Sequence, residues 1–303
     1  KDVRIMKLKL IVALALLAPV ITTPASAAEP KRLVIIDSGI NTELDWVKNS
    51  LVEEACFIEY GKCPNGQSSM TGPGAAHVRY QDVKDKAMHH GSQMYSVAVQ
   101  ANPAVQIVFI RIVGMSTTGY ANSYTTKALQ LALDWTAANA ARLNVGTVSV
   151  SVGRAYSGDS CPIESLLGST ITDLTNRGIP VLISAGNGGN KLKVDYPACI
   201  PAAIAVGATD TPYAVRGISG WVTPVMPSSN GGQDLDIYAM GRWTTQDLTG
   251  RKIISLGTSN ATVAVASKWT QALSSGATVS SLTANLGKAY LSLKEVISKL
   301  FLI

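Results

Sequence analysis

Ser259 sits in Gly257-Thr258-Ser259-Asn260-Ala261 and carries a hydroxyl that becomes a nucleophile only with help. A serine hydroxyl is hardly ionised at neutral pH. It needs a base to take its proton, a group to orient that base, and donors for the oxyanion formed on attack. Three other segments offer such parts along the chain. They are Val34-Ile35-Ile36-Asp37-Ser38-Gly39-Ile40, then His90-Gly91-Ser92, then Ile183-Ser184-Ala185-Gly186-Asn187-Gly188. Imidazole titrates near neutrality and can accept and return a proton, which makes a histidine the natural base. Of His77, His89 and His90, only His90 precedes Gly-Ser and opens the helical run Gln93-Met94-Tyr95-Ser96-Val97-Ala98; His89 is its rival. The mostly apolar run Ala261–Ala266 marks a buried helix whose N-terminal end points at the site. Such an end carries unpaired N–H groups and partial positive charge, both favourable to an oxyanion. Singly, each segment has a plain structural reading: a capping serine, a surface histidine, a strand-ending aspartate, a turn asparagine.

Together and in this order, the four segments resemble the subtilisin-like serine proteases, whose triad runs Asp, His, Ser along the chain. The resemblance reaches from about Leu33 to about Trp269. It implies Ser259 as nucleophile, His90 as base, Asp37 as the group orienting His90, and Asn187 as oxyanion donor beside the Ser259 backbone N–H. It implies that Ser151, Val152 and Gly153 line the primary specificity pocket. By the same resemblance Thr118-Gly119-Tyr120 forms the opposite edge, where substrate adds as a strand, and Tyr196-Pro197-Ala198 forms the pocket floor. The implied activity is endopeptidase hydrolysis of protein or peptide substrates, with no cofactor needed for the chemistry. Asn260 and Val263 stand where the family usually has Met and Pro. Ala239-Met240-Gly241 replaces Ala-Pro-Gly, and Gln93 replaces a second His. These changes mark a divergent member and are expected to affect stability rather than chemistry. A second reading keeps the fold without the chemistry, as a peptide- or partner-binding protein. A third is an esterase or lipase, although no Gly-x-Ser-x-Gly elbow surrounds Ser259.

Strand-length apolar runs alternate with helical stretches. Strands are expected at Leu33–Asp37, Gln106–Val113, Thr147–Val152, Pro180–Ser184, Ala203–Val206 and Asp236–Ala239, most of them Val/Ile/Leu/Ala-rich as in strands covered on both faces. Helices are expected near His90–Gln100, Tyr124–Ala141 and Glu164–Arg177. The second carries Ala128, Leu131, Ala132 and Trp135 at helical spacing. The alternation predicts an α/β fold: a doubly wound, mostly parallel sheet with helices on both faces. Functional residues should then lie beyond the carboxyl ends of the strands, as Asp37 and Asn187 do. Asn41 to Met88 is long, Gly/Pro-bearing and poorly periodic, and is expected to contain an inserted loop with Cys56–Cys63.

The 303 residues suffice for one large domain. The net charge of +6 owes much to Lys1, Arg4, Lys7 and Lys9, and the rest of the chain has no basic cluster of the kind that binds nucleic acid. Met6-Lys7-Leu8-Lys9, the apolar run Leu10–Ile21 and Ala25-Ser26-Ala27 read as a signal peptide cleaved near Ala27/Ala28; a membrane anchor is the alternative. Residues 1–28 are thus expected to be removed, leaving 29–303 as one catalytic domain, periplasmic or extracellular, with no stable membrane span. Asp37 follows the cleavage point by about ten residues. No prodomain is expected there, so the protein folds unaided or is restrained by a separate inhibitor or chaperone. Export suits disulfides. Four cysteines allow three pairings. Cys56–Cys63 with Cys161–Cys199 is favoured, the first pair being local in a turn-rich stretch; four buried free thiols are the alternative. No cysteine pair has metal-ligand spacing. Glu43, Asp45, Asp82 and Asp85 read as solvated loop charges, and structural calcium is left open.

Overall fold

Apolar residues that alternate along a strand must find cover on both faces of its sheet. In this chain they do so by splitting into two cores. The structure, a computed structural model, describes residues 29–162, 165–211, 215–217, 220–222 and 224–284. The expected signal peptide and Glu164 lie outside them. In chain order the elements are β1 (Arg32–Asp37), α1 (Asp45–Lys48), β2 (Leu51–Phe57), β3 (Ser69–Thr71), α2 (His90–Ala101), β4 (Gln106–Arg111), α3 (Thr126–Asn139) and β5 (Val145–Val150). Then follow α4 (Ser165–Asn176), β6 (Val181–Ser184), β7 (Ile204–Thr209), β8 (Val215–Gly217), β9 (Gly220–Val222), β10 (Ile237–Met240), β11 (Arg242–Gln246), β12 (Lys252–Leu256), α5 (Thr258–Ser274) and α6 (Val279–Thr283).

The main sheet has eight strands in the order β10-β7-β6-β5-β1-β4-β2-β3. All pairings are parallel except the edge pair β2–β3. Val34, Ile36, Val108, Ile110, Val148 and Ile183 face one way and pack with Leu129 and Leu133 of α3 and Ile171 and Leu174 of α4. Leu33, Ile35, Ile107, Phe109 and Leu182 face the other way and pack with α2 and α5. Each fully buried Leu, Ile or Phe contributes about 1.5–3 kcal/mol, so neither face of the sheet could be left wet. The fold is therefore α/β, doubly wound and mostly parallel.

Helix α5 runs along the sheet with small residues, Ala, Ser, Thr and Val, almost all buried from Thr258 to Thr270. Its polar side chains are satisfied locally: Thr262 Oγ1 donates to the Thr258 carbonyl at 2.7 Å and Ser267 Oγ to the Ala98 carbonyl of α2 at 2.7 Å.

Two features depart from the sequence reading. The Asn41–Met88 segment contains β2, absent from the expected strands, which pairs with β4 in the main sheet. Glu53 and Glu54 break its apolar run, yet Glu54 is buried, its two oxygens accepting from the Gly74 and Ala76 N–H groups at 2.8 and 3.0 Å. Helix α3 buries Ala128, Leu129, Ala132, Leu133 and Thr136, whereas Leu131 is exposed, so the inward face is turned one residue from the sequence reading.

Candidate active site

Asp37 ends β1 and is fully buried. Its Oδ1 and Oδ2 lie 2.8 and 3.0 Å from Nδ1 of His90, the first residue of α2. A carboxylate can only accept, so Nδ1 carries the proton and Nε2 is left as the acceptor. The Ser38 N–H donates to Asp37 Oδ1 at 2.6 Å. The Ser38 hydroxyl staples strand to helix, donating to the Met88 carbonyl at 3.2 Å and accepting from the Gly91 N–H at 2.9 Å. The two segments meet at Gly39 and Gly91. A Cβ on Gly91 would lie 2.3 Å from the Gly39 carbonyl oxygen, so only glycine lets α2 begin this close to β1. Burial lowers the His90 pKa, but the Asp37 charge and hydrogen bond outweigh it and hold the imidazole above its ordinary 6.5.

Ser259 is the second residue of α5, after Gly257, whose φ of 138° suits glycine. Its side chain and those of Asp37 and His90 line one cleft of about 490 Å³. The Ser259 hydroxyl donates to the Ser151 carbonyl oxygen at 3.4 Å, and among the described residues no hydrogen bond joins it to His90. Asn187 lines the same cleft. Its Oδ1 accepts from the Thr258 N–H at 3.0 Å and the Thr258 hydroxyl at 3.2 Å. An N–H can meet only the oxygen end of an amide, so the Asn187 –NH2 is turned away from Thr258 and free to donate. Gly257 again makes room, since a Cβ there would lie 3.0 Å from Asn187 Oδ1.

The loop bearing Asn187 is laced to the loop at 226–231. Gly189 N–H donates to the Ser228 carbonyl, Asn230 N–H to the Gly186 carbonyl, and Asn190 N–H to Asn230 Oδ1, at 2.8–2.9 Å. Lys191 Nζ donates to the carbonyl oxygens of Met226, Pro227 and Ser229.

The rival histidines are otherwise engaged. His89 Nδ1 accepts from the Leu248 N–H at 3.3 Å, and His77 Nδ1 lies 3.0 Å from the Thr42 hydroxyl. Ser151, Val152 and Gly153 line the cleft. Thr118, Gly119 and Tyr120 do not. The Met115–Ala121 bridge closes a turn that leaves Thr118 and Tyr120 exposed and packs Gly119 against residues 82–84, and Val113 and residues 121–124 line the cleft on that side. Nor do Tyr196, Pro197 and Ala198 line it: Tyr196 and Ala198 are buried, Tyr196 pairs with Arg154 through backbone bonds, and Asp195 lines the cleft instead. The bridges are Cys56–Cys63 and Cys161–Cys199; the second ties the chain beyond Gly153 to the turn beyond Asp195.

Sequence reasoning missed Ser38, Thr258 and Asp195. Their only signal was adjacency to motif residues, since each acts through a contact distant in sequence. Asn260 holds the backbone around α5 in place. It is buried, and its Nδ2 donates to the Gly241 carbonyl at 2.9 Å and to Ser255 Oγ at 3.1 Å.

The model of the subtilase family matches residues 32–292. The chain belongs to the subtilase family. This subtilase is similar to Subtilisin Savinase of Lederbergia lenta, 26% identical over 239 residues, which are 78% of this chain and 73% of that one. It is also similar to the cuticle-degrading serine protease of Orbilia oligospora, 27% identical over 142 residues, 45% of this chain and 29% of that one. The match thus spans under a third of that relative's length. Among solved structures, a cold adapted subtilisin-like serine proteinase superposes with a TM-score of 0.58 at 20% identity, covering 84% of this subtilase and 79% of that chain. The S41 psychrophilic protease gives 0.63 at 17%, covering 86% and 82%. These two likenesses show the fold.

Proposed function

We propose that the chain is an exported serine endopeptidase that cleaves protein or peptide substrates through Ser259, His90 and Asp37. The observation that carries this reading is the shared cleft: a buried carboxylate held on His90 Nδ1, a serine at a helix N-terminus, and an asparagine amide with its donor free. Ser259 Oγ leaves the Ser151 carbonyl, gives its proton to His90 Nε2 and attacks the scissile carbonyl carbon. The oxyanion accepts from the Asn187 –NH2 and the Ser259 backbone N–H, at the positive end of α5. His90 then returns the proton to the leaving amine, and water repeats the cycle on the acyl-enzyme. Asp37 stabilises the imidazolium throughout. We take residues 29–303 as the catalytic unit and 1–28 as its export signal. Among the described residues no helix is long and apolar enough to cross a membrane. The chemistry asks for no cofactor; a restraining inhibitor or chaperone is part of the proposal only as a separate chain.

One observation favours a second reading. The Ser259 hydroxyl rests on Ser151 rather than His90, as in a fold that binds peptide without cutting it. Active-site phosphonate labelling separates the two. A single adduct on Ser259, lost in His90→Ala, supports the endopeptidase. A folded protein that takes no label supports the binding protein.

A further inference from the structure

One acidic side chain in the cleft has no part in the hydrolytic chemistry. Asp195 lines the same cavity as Ser259 and His90. Its backbone is fixed on both sides: its N–H donates to the Ala185 carbonyl at 2.8 Å, and its carbonyl accepts from Cys199, which is bridged to Cys161. Two glycines leave room for its side chain. A Cβ on Gly186 would fall 2.1 Å from Asp195 Oδ2, and one on Gly153 would fall 3.7 Å from Asp195 Cβ. The carboxylate therefore lies against the residue that precedes Asn187, beside the Ser151–Gly153 wall.

Its charge is poorly answered within the protein. Burial raises its pKa, outweighing a hydrogen bond from Asn230 and the more distant charge of Lys193. The Lys193 ammonium is held elsewhere, donating to the Tyr156 and Gly158 carbonyls at 3.0 and 2.8 Å and lying over the Tyr156 ring. The Arg154 guanidinium lies over the Tyr196 ring, 5.2 Å from its centroid. Among the described residues Asp195 makes no ion pair. The other carboxylates of the cleft are satisfied: Asp37 by His90, and Asp85 by the Ala87 and Ala121 N–H groups at 2.9 and 3.2 Å. A half-buried carboxylate without a cation is costly, and an incoming guanidinium or ammonium recovers that cost through charge-assisted hydrogen bonds.

Which part of a substrate would meet it follows from the proposed chemistry, on which this inference rests. The scissile carbonyl carbon lies at Ser259 and its oxygen at Asn187. The side chain belonging to that carbonyl then enters the space beside Gly186 and Gly153. We propose that Asp195 selects substrates carrying arginine or lysine as the residue before the cut.

The test uses Ser259→Ala protein and two peptides that differ only in arginine or citrulline at that residue. Citrulline keeps the shape of arginine and lacks its charge. By titration calorimetry the arginine peptide should bind about 10–100-fold tighter, the range of a partly desolvated charge pair. Adding Asp195→Asn should bring the ratio near one. Equal binding of the two peptides overturns the inference, and that comparison needs no change at Asp195. A ratio that survives Asp195→Asn overturns it too. In the active enzyme, kcat/KM should favour the arginine substrate over its phenylalanine counterpart, and Asp195→Asn should reverse the order; a wild-type preference for phenylalanine sinks it. No hydrolysis of either substrate, with the calorimetric preference intact, counts against the proteolytic reading and leaves Asp195 as the selector of basic peptides.

Discussion

The two halves of the cleft are built differently. The Asp37–His90 half joins a strand end to a helix start, with Gly39 against Gly91 and the Ser38 hydroxyl between them, and its hydrogen bonds are closed. The other half joins the start of α5, where the Ser259 hydroxyl faces Ser151, to Asn187 on a loop at 186–190 that is laced to the loop at 226–231. The first half is held by close backbone packing of Gly91 on Gly39. The second is held by hydrogen bonds from Thr258 to Asn187 and from Ser259 to Ser151. The His90 ring is thus oriented by Asp37, whereas the Ser259 hydroxyl is hydrogen-bonded to the Ser151 carbonyl and would have to leave it to serve as the proposed nucleophile.

Breaking the first half should have the largest effect. Asp37→Asn removes both causes that raise the His90 pKa and lets the imidazole take the wrong tautomer. We expect kcat to fall by roughly 10,000-fold. The sign of the pH effect is fixed as well. His90 must be neutral to act as a base, so the acid limb of kcat/KM lies above pH 6.5 in the wild type and moves down in Asp37→Asn. Since the folded pKa is raised, the pair's stabilising contribution is fully present below about pH 6.5 and is lost as pH rises through the folded value. A limb that stays put in the variant would detach Asp37 from His90.

Asn187→Ala probes the second half. Loss of one oxyanion donor should cut kcat about 100–1,000-fold with little change in KM; the magnitude comes from this same family. An equal rise in KM would make Asn187 a ground-state contact instead.

Gly91→Ala should cost stability along with activity. Its Cβ meets backbone, which cannot step aside, so α2 must shift from β1 at a cost of about 1–3 kcal/mol. Thermal unfolding measures the first effect and phosphonate labelling the second; normal labelling would mean that the Asp37–His90 geometry has slack.

Asn260→Leu should have the smallest effect. It removes donors to Gly241 and Ser255, but the Gly241 carbonyl keeps its bond from the Gly257 N–H at 3.0 Å. A loss of about 1–2 kcal/mol with kcat nearly intact would confirm that this departure from the family pattern bears on stability alone.

The same contrast explains what was legible in the sequence. Elements with a continuous apolar run, such as β1 and β5, and the buried helix at Ala261–Ala266 could be read directly, because burial on both faces leaves a compositional mark. The motif residues of the cleft could be read because the resemblance supplied their order. Strand β2 could not, since Glu54 looks like a loop charge until Gly74 and Ala76 come round to meet it. The cleft-lining residues 121–124 and Asp195 lie a few positions from the named Thr118–Tyr120 and Tyr196–Ala198 for a related reason: which way a turn points is set by bridges such as Met115–Ala121 that local composition does not encode.

The ammonium of Lys191 occupies a cage of three main-chain carbonyls under the Asn187 loop. Such a ring of oxygens is what a dissolved cation would seek. Here the cation is part of the polypeptide, so dialysis cannot remove it and a chelator cannot compete for it. That corner of the molecule therefore carries its own counter-charge for these three carbonyls.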